Sequence, residues 1–250
     1  MDPSGHNTRR VFPAARKYWS EIASRRGFFA ATHDLLTALW EFLRNSTPAR
    51  LRQRYGDTDY DWDHRVNTTS ATVGWRDRLL GAFHSPYQPT DPALFREMLE
   101  ALQQTTNLKF EDFTFVDLGS GKGRTLLMAS DYPFRRIMGI ELIPSLHQIC
   151  QDNLSRYKSE SQKCISIECS CADATSFPFP EGPLVIYLFN PFPEAGLRSA
   201  LGNLRQSLRK HQRPVYLLYH NPQLERVFTE EGQFNKIAGT HQYSILSDMS

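Results

Sequence analysis

Short apolar runs and helix-like patterns alternate along the chain from about residue 85 onward. Turn-forming residues separate the apolar runs, which occupy residues 113–117, 136–141, 165–168, 184–189 and 215–219. Runs of this length predict buried strands, and their alternation with helices predicts a parallel sheet covered on both faces.

Two of the intervening segments have clear helical periodicity. Apolar residues recur every three or four positions after Pro144, at Leu146, Ile149, Cys150 and Leu154, and after Glu194, at Leu197, Leu201, Leu204 and Leu208. Beyond a candidate helix at residues 223–229, β-like runs at 234–238 and 242–246 predict a terminal hairpin. The fold class is therefore α/β, a doubly wound, mostly parallel seven-strand sheet with a C-terminal antiparallel hairpin.

Residues 1–84 differ in character from the rest of the chain. They hold all four tryptophans and one amphipathic helix, predicted at about residues 28–43. We predict a mainly helical N-terminal cap or substrate-recognition extension at residues 1–84 and an α/β domain at residues 85–250. Residues 1–54 carry ten Arg and Lys against four Asp and Glu, a local charge of +6 in a chain of net +2. That excess suits a solvated helical face or peripheral contact with an anionic partner.

The overall composition is that of a soluble globular protein, with 40% hydrophobic and 22% charged residues. The apolar stretch at 28–43 contains His33, Asp34 and Glu41, so no transmembrane helix is predicted. The four cysteines lack the paired spacing of a zinc or redox motif. We interpret them as free thiols of a cytoplasmic protein without a metal site.

Three alternating glycines, Gly119, Gly121 and Gly123, follow the first predicted strand. They let the backbone turn sharply and approach a ligand more closely than a Cβ would allow. A dinucleotide site needs the spacing G-x-G-x-x-G, and here the third glycine comes one position early; the phosphate-binding spacing G-x-x-x-x-G-K-[ST] is absent. Asp117, just before the loop, would repel a phosphate but suit a cationic or amine-bearing ligand.

The run Asp117-Leu118-Gly119-Ser120-Gly121-Lys122-Gly123 resembles the first motif of class I (seven-strand, Rossmann-like) S-adenosylmethionine-dependent methyltransferases. The resemblance covers about residues 87–250 and is nearest to uncharacterised bacterial methyltransferase-domain proteins and small protein-lysine methyltransferases. It implies S-adenosyl-L-methionine as the cofactor. The loop would surround the methionine end of that cofactor, with binding residues Asp117, Gly119, Ser120, Gly121 and Gly123.

Two further acids extend the predicted cofactor site. Glu141 ends the second strand 24 residues beyond Asp117, where a nucleoside-binding α/β fold positions an acid to accept hydrogen bonds from ribose hydroxyls. By the resemblance, Asp173 accepts a bond from the adenine amino group, with the backbone of Ala174 in support. A helix N-cap is the alternative interpretation of Asp173.

Candidate acceptor-side residues follow the fourth and fifth strands. Asn190-Pro191-Phe192 is similar to the [DNS]-P-P-[YF] motif of amino-methyltransferases, with one proline missing. In that motif side-chain and backbone oxygens accept hydrogen bonds from the target nitrogen while the aromatic ring packs against it. Asn190 is assigned to the cofactor site as well, and a plain turn is the alternative for this tripeptide. His220 is either a catalytic base or an ordinary turn histidine.

Tyr87 and Thr90 lie in a segment similar to one that folds over cofactor and substrate in small protein-lysine methyltransferases. We assign Tyr87 to the catalytic set and Thr90 to the cofactor site. The alternative is an ordinary helix start, which Asp91 caps and Pro92 begins.

These residues together predict an S-adenosylmethionine-dependent methyltransferase that acts on a nitrogen, with protein lysine favoured. Methyl transfer is an in-line displacement at a sulfonium carbon, so the enzyme must mainly align a nucleophile within a polar cradle. A small-molecule N- or O-methyltransferase is the first alternative. A nucleic-acid methyltransferase and a non-catalytic cofactor-binding module are less favoured. The expected partner is thus a protein or small-molecule methyl acceptor rather than nucleic acid.

Overall fold

The computed structural model describes residues 58–68, 89–230 and 234–248, together with six positions between residues 23 and 36. The chain forms two compact units, one of Met1–Thr58 with Thr69–Gln88 and the other of Asp59–Thr68 with Pro89–Ser250. In the first unit the six described positions are helical, and five of them fall within the helix predicted at about residues 28–43, whose other residues lie outside the described ones. The domain boundary after residue 84 stays a prediction, but Asp59–Thr68 belongs with the second unit.

Seven strands form one sheet in the second unit. They are β1 Thr114–Leu118, β2 Arg136–Glu141, β3 Ile167–Cys171, β4 Leu184–Phe189, β5 Val215–His220, β6 Asn235–Gly239 and β7 Tyr243–Ser247. Their order across the sheet is β3-β2-β1-β4-β5-β7-β6. Strand β7 is antiparallel to β5 and β6, and the other pairs are parallel. The predicted mostly parallel sheet with a C-terminal antiparallel hairpin is confirmed.

The described helices of this unit connect and cover the strands. They are α1 Thr58–His64, α2 Pro92–Thr106, α3 Arg124–Ala129, α4 Pro144–Arg156, α5 Glu194–Lys210 and α6 Arg226–Thr229, with a 3-10 turn at Phe110–Asp112. Asp91 caps α2 by accepting a bond from the Leu94 amide at 2.9 Å. Alternate strand residues enter two separate apolar cores, so that Phe115 packs with α2 and Val116 packs with α5.

The bounds of β2 and β4 agree with the prediction, whereas β3 begins two residues later than predicted. Ile165 supplied the apolar start of the predicted run, but it is 88% exposed. Strand β3 lies at the edge of the sheet, and only Cys169 of its five residues is buried. An edge strand buries fewer residues, so its hydrophobic pattern is weaker.

Among the described residues, no helix is long and apolar enough to cross a membrane. The candidate site depends on the position of β1 in the sheet. Strand β1 lies between β2 and β4 and is parallel to both. The carboxyl ends of these three strands therefore meet at one edge, where ligands bind in folds of this kind.

Candidate active site

The glycine loop leaves β1 in a backbone conformation that side chains with a Cβ rarely adopt. Gly119, Gly121 and Gly123 have φ values of 89°, 55° and 83°. A Cβ on Gly119 would lie 2.7 Å from the Cβ of Pro191, and one on Gly123 would lie 2.5 Å from the Sγ of Cys150. The loop is therefore packed between the turn after β4 and helix α4, and glycine is required at both contacts.

Glu141, at the end of β2, holds this loop directly. Its Oε2 accepts a hydrogen bond from the Gly121 amide at 2.7 Å, and its Oε1 accepts one from the Ile143 amide at 2.7 Å. Burial raises the pKa of Glu141 to about 7, although the backbone amides oppose the shift. The Leu142 amide also interacts with this carboxylate. Its two oxygens offer about four acceptor positions, so Glu141 can also accept a bond from a ribose hydroxyl.

Asp117 lies at the end of β1 and is almost fully buried. Burial raises its pKa to about 7; a hydrogen bond from Thr125 opposes the shift, and the negative charge of Glu141 adds to it. Two desolvated carboxyl groups beside a loop with glycine at alternate positions fit a ligand that carries positive charge. The cationic ammonium and sulfonium groups of S-adenosylmethionine meet that requirement, so the residues present fit the implied cofactor.

Ser120 contributes to the loop through its backbone. Its amide and that of Gly119 both donate to the carbonyl of Ile140, at 3.0 and 2.9 Å. Its side chain is buried, with Oγ 3.4 Å from the Sγ of Cys169, so it faces β3. Any contact of Ser120 with the cofactor would therefore come from the main chain.

Asp173 lies in the turn after β3 and is exposed. Its Oδ1 accepts bonds from the Thr175 amide at 2.9 Å and from the Thr175 hydroxyl at 2.7 Å. These bonds cap a turn, not the helix of the alternative interpretation, and they leave Oδ2 for another donor. Ala174 is buried in the core. The adenine contacts of Asp173 and Ala174 remain predictions.

The Asn190 side chain is fixed by two short hydrogen bonds. Its Oδ1 accepts from the Tyr219 hydroxyl at 2.6 Å, and its Nδ2 donates to the carbonyl of Asn221 at 2.6 Å. Its backbone has a φ of 43°, in the left-handed region. Pro191 packs on Gly119, and Phe192 packs against the core formed with α5. The tripeptide thus joins the cofactor loop to the end of β5.

Thr90, Tyr187 and His220 form a buried hydrogen-bonded chain. The Tyr187 hydroxyl lies 2.7 Å from the Thr90 Oγ1 and 2.8 Å from the His220 Nδ1. The His220 ring stacks on Phe189, with centroids 3.8 Å apart. Burial lowers the pKa of His220 to about 4. The imidazole is therefore neutral near pH 7 and too weakly basic to take a proton from a lysine ammonium.

Tyr87 lies outside the described residues. Thr90 is buried and bonded to Tyr187, on the face of the sheet covered by α2. Its contact with the cofactor remains a prediction.

Sequence reasoning missed a polar cluster beside the glycine loop. Lys122, Arg124 and Asn153 bond to Asn67 and Thr68, which are 55 to 86 residues away in the chain. No local spacing predicts such pairs. The available signal was the presence of two cations, Lys122 and Arg124, next to a loop proposed to bind a cationic ligand.

A family model described as a methyltransferase domain matches residues 116–190. Several solved structures are also similar to this chain. The methyltransferase domain of bacterial CtHen1-CN has 14% identity and a TM-score of 0.44, and the match covers 63% of this chain and 98% of that one. An RNA methyltransferase from Salinibacter ruber, in complex with S-adenosyl-L-homocysteine, has 19% identity and a TM-score of 0.41, with coverage of 64% and 91%. No curated protein matches the sequence.

The matched residues run from β1 to the turn after β4. They include the glycine loop, Glu141 and Asn190, which the fold brings to one edge of the sheet. The chain therefore carries a methyltransferase domain with a Rossmann-like fold, and S-adenosyl-L-methionine is the cofactor of that domain.

Proposed function

We propose that this methyltransferase transfers the methyl group to a nitrogen atom and that a protein lysine side chain is the favoured acceptor. The observation that carries the proposal is the packing of the Asn190-Pro191-Phe192 turn on Gly119. The contact is so close that a Cβ built on Gly119 would lie 2.7 Å from the Cβ of Pro191. Asn190 thereby directly precedes the residue that contacts the loop that would hold the methyl donor.

The chemistry of Asn190 suits an amine. Its carbonyl and amide oxygens can accept hydrogen bonds from a nitrogen nucleophile, which orients the nitrogen lone pair toward the methyl carbon. The bound cofactor supplies an activated methyl group. In the transfer an N–C bond would form while the C–S bond would break, with its electron pair going to sulfur; a lysine ammonium would first give one proton to water. An asparagine amide is not basic, so the amine must be neutral when it reacts.

Protein lysine is favoured over a small amine because Thr90 belongs to a segment that resembles the substrate-covering segment of small protein-lysine methyltransferases. Thr90 is fixed to β4 through Tyr187, whose neighbour in β1 is Asp117. Thr90 of that segment is therefore fixed near the strand end that carries Asp117.

A labelling experiment tests the acceptor. The purified protein is incubated with a cell extract and radioactive S-adenosylmethionine, and the protein fraction is hydrolysed and analysed for methylated lysine. We expect label in methyl-lysine, strongly reduced with Asn190→Ala. Asn203→Ala serves as the matched control, because Asn203 also bonds a carbonyl, that of Phe177 at 2.6 Å, but lies on α5. Counts confined to small molecules would contradict the lysine assignment, and label on oxygen or nucleic acid would contradict the nitrogen assignment.

We also propose a cytoplasmic location, which the buried thiols of Cys150, Cys164 and Cys169 support. The basic residues 1–54 suit an anionic partner, such as an acidic protein surface.

A further inference from the structure

Lys122 is fully buried although it lies in the middle of the glycine loop. Its Nζ donates to the Oδ1 of Asn67 at 3.0 Å. Burial lowers the pKa of Lys122 to about 8, and the negative charge of Asp61 opposes the shift. A buried ammonium needs compensating partners. Segment Asp59–Thr68 supplies two, the Asn67 side chain and the Asp61 carboxylate.

Asn153 of α4 connects the same segment to the loop backbone. Its Oδ1 accepts from the Asn67 amide at 2.8 Å, and its Nδ2 donates to the Asn67 carbonyl at 3.0 Å and to the Lys122 carbonyl at 2.9 Å. One side-chain amide therefore ties the backbone of Asn67 to the backbone of the loop.

Arg124 makes a third connection from the first turn of α3. It is 3% exposed, its Nε donates to the Thr68 hydroxyl at 2.8 Å, and its Nη1 donates to the Thr90 carbonyl at 3.2 Å. The guanidinium also lies over the Tyr60 ring, 4.5 Å from its centroid. Asp61 accepts a bond from the Thr68 amide at 2.7 Å and lies 4.0 Å from Arg124.

We propose that segment Asp59–Thr68 is part of the cofactor site and that Lys122 and Arg124 are positioning residues that hold the glycine loop against it. A loop with three glycines loses much conformational entropy when it adopts one shape. Glu141 holds the loop at Gly121, and the segment holds it at Lys122 and Arg124. The loop is thus preorganised from two sides, which strengthens binding without a direct contact between the segment and the ligand.

Asp61 has a second effect, through charge. Lys122 and Arg124 place two positive charges beside a loop that must receive a cationic methyl donor, and Asp61 offsets them. Loss of the Asp61 charge should therefore weaken the binding of S-adenosylmethionine more than that of S-adenosylhomocysteine, which lacks the sulfonium charge. A purely structural role would weaken both ligands equally.

The experiment is a double-mutant cycle on the full chain, with S-adenosylhomocysteine binding measured by calorimetry. We expect Asn67→Ala and Lys122→Met each to weaken binding by about tenfold, the effect of losing one hydrogen bond to a charged group. The double variant should bind no more weakly than the weaker single variant, because both changes break the same bond. Asn67 is exposed, so Asn67→Ala tests the proposal alone if Lys122→Met does not fold.

Asn203→Ala is the control, with the unfolding temperature recorded for every variant. Wild-type affinity in Asn67→Ala would overturn the proposal, and so would an equal loss of affinity in Asn203→Ala. Asp61→Asn must reduce the affinity for S-adenosylmethionine more than that for S-adenosylhomocysteine; equal losses would overturn the charge effect. These measurements use no methyl acceptor, so their outcome is independent of the proposed nitrogen acceptor.

Discussion

At the scale of single residues, Asp117 and Glu141 are two acids buried side by side, each with its pKa raised to about 7. The folded protein therefore holds these protons more tightly than the unfolded chain, and their contribution to stability falls as the pH rises from about 4 to about 7. A cationic ligand favours the ionised carboxylates. We expect the affinity for S-adenosylmethionine to increase between about pH 6 and pH 8, with release of protons on binding.

Calorimetry across that pH range, in buffers of different ionisation enthalpy, measures both the affinity and the protons released. Glu141→Gln should flatten the dependence, because it removes one of the two titrating groups. A wild-type affinity that stays constant or falls with pH would contradict the assignment of these acids to the cofactor site.

Tyr187 gives a second prediction at this scale. Its hydroxyl is shared between Thr90 and His220 in a buried position. Tyr187→Phe should lower the free energy of unfolding by about 1–3 kcal/mol, since two buried polar groups lose their partner. Tyr216→Phe is the matched control, because that side chain is also buried but its hydroxyl makes no hydrogen bond to another described residue. Urea denaturation of both variants measures the difference, and equal losses would count against the hydrogen-bonded chain.

At the scale of elements, the glycine loop is the most constrained connection near the site. Gly119→Ala forces a Cβ into contact with Pro191 at a φ of 89°, so we expect a stability loss of at least about 1–3 kcal/mol and loss of cofactor binding. Gly202→Ala is the control. Gly202 lies in the middle of α5, and apart from the backbone of that helix no atom lies within 4 Å of a Cβ built there. That change should stabilise the protein by up to about 1 kcal/mol. Thermal unfolding and ligand titration of the two variants test the contrast.

The elements also show where sequence patterns are sufficient. Strands β2 and β4 lie inside the sheet, bury nearly every residue and have the predicted bounds. Strand β3 at the edge buries one residue, and it spans Ile167–Cys171 where the pattern predicts 165–168. Glu141 and the glycines were found because their roles depend on spacing along one strand–loop–helix unit. The contacts of Lys122, Asn153 and Tyr187 join distant parts of the chain, which no local pattern records.

At the scale of the whole molecule, segment Asp59–Thr68 departs from the simple division into an extension and a catalytic domain. The chain on either side of it, Met1–Thr58 and Thr69–Gln88, forms the other compact unit. The predicted boundary after residue 84 rests on a change in composition, whereas Asp59–Thr68 is grouped with the second unit and makes polar contacts with Lys122, Arg124 and Asn153 there. A change in amino-acid composition along the chain does not reveal that a ten-residue segment packs with the other unit.

Two truncated chains test whether Asp59–Thr68 is needed by the cofactor site or belongs only to the N-terminal extension. A chain that begins at Asp59 keeps the contacts of Asn67 and Thr68 with the loop, so we expect its affinity for S-adenosylhomocysteine to stay within about threefold of the full chain. A chain that begins at Thr69 loses the bonds of Asn67 to Lys122 and of Thr68 to Arg124, although Arg124 keeps its bond to the Thr90 carbonyl, so its affinity should fall by at least about tenfold. Circular dichroism verifies that both chains are folded before calorimetry compares them. If the shorter chain is folded and binds as tightly as the longer one, the cofactor site does not need this segment.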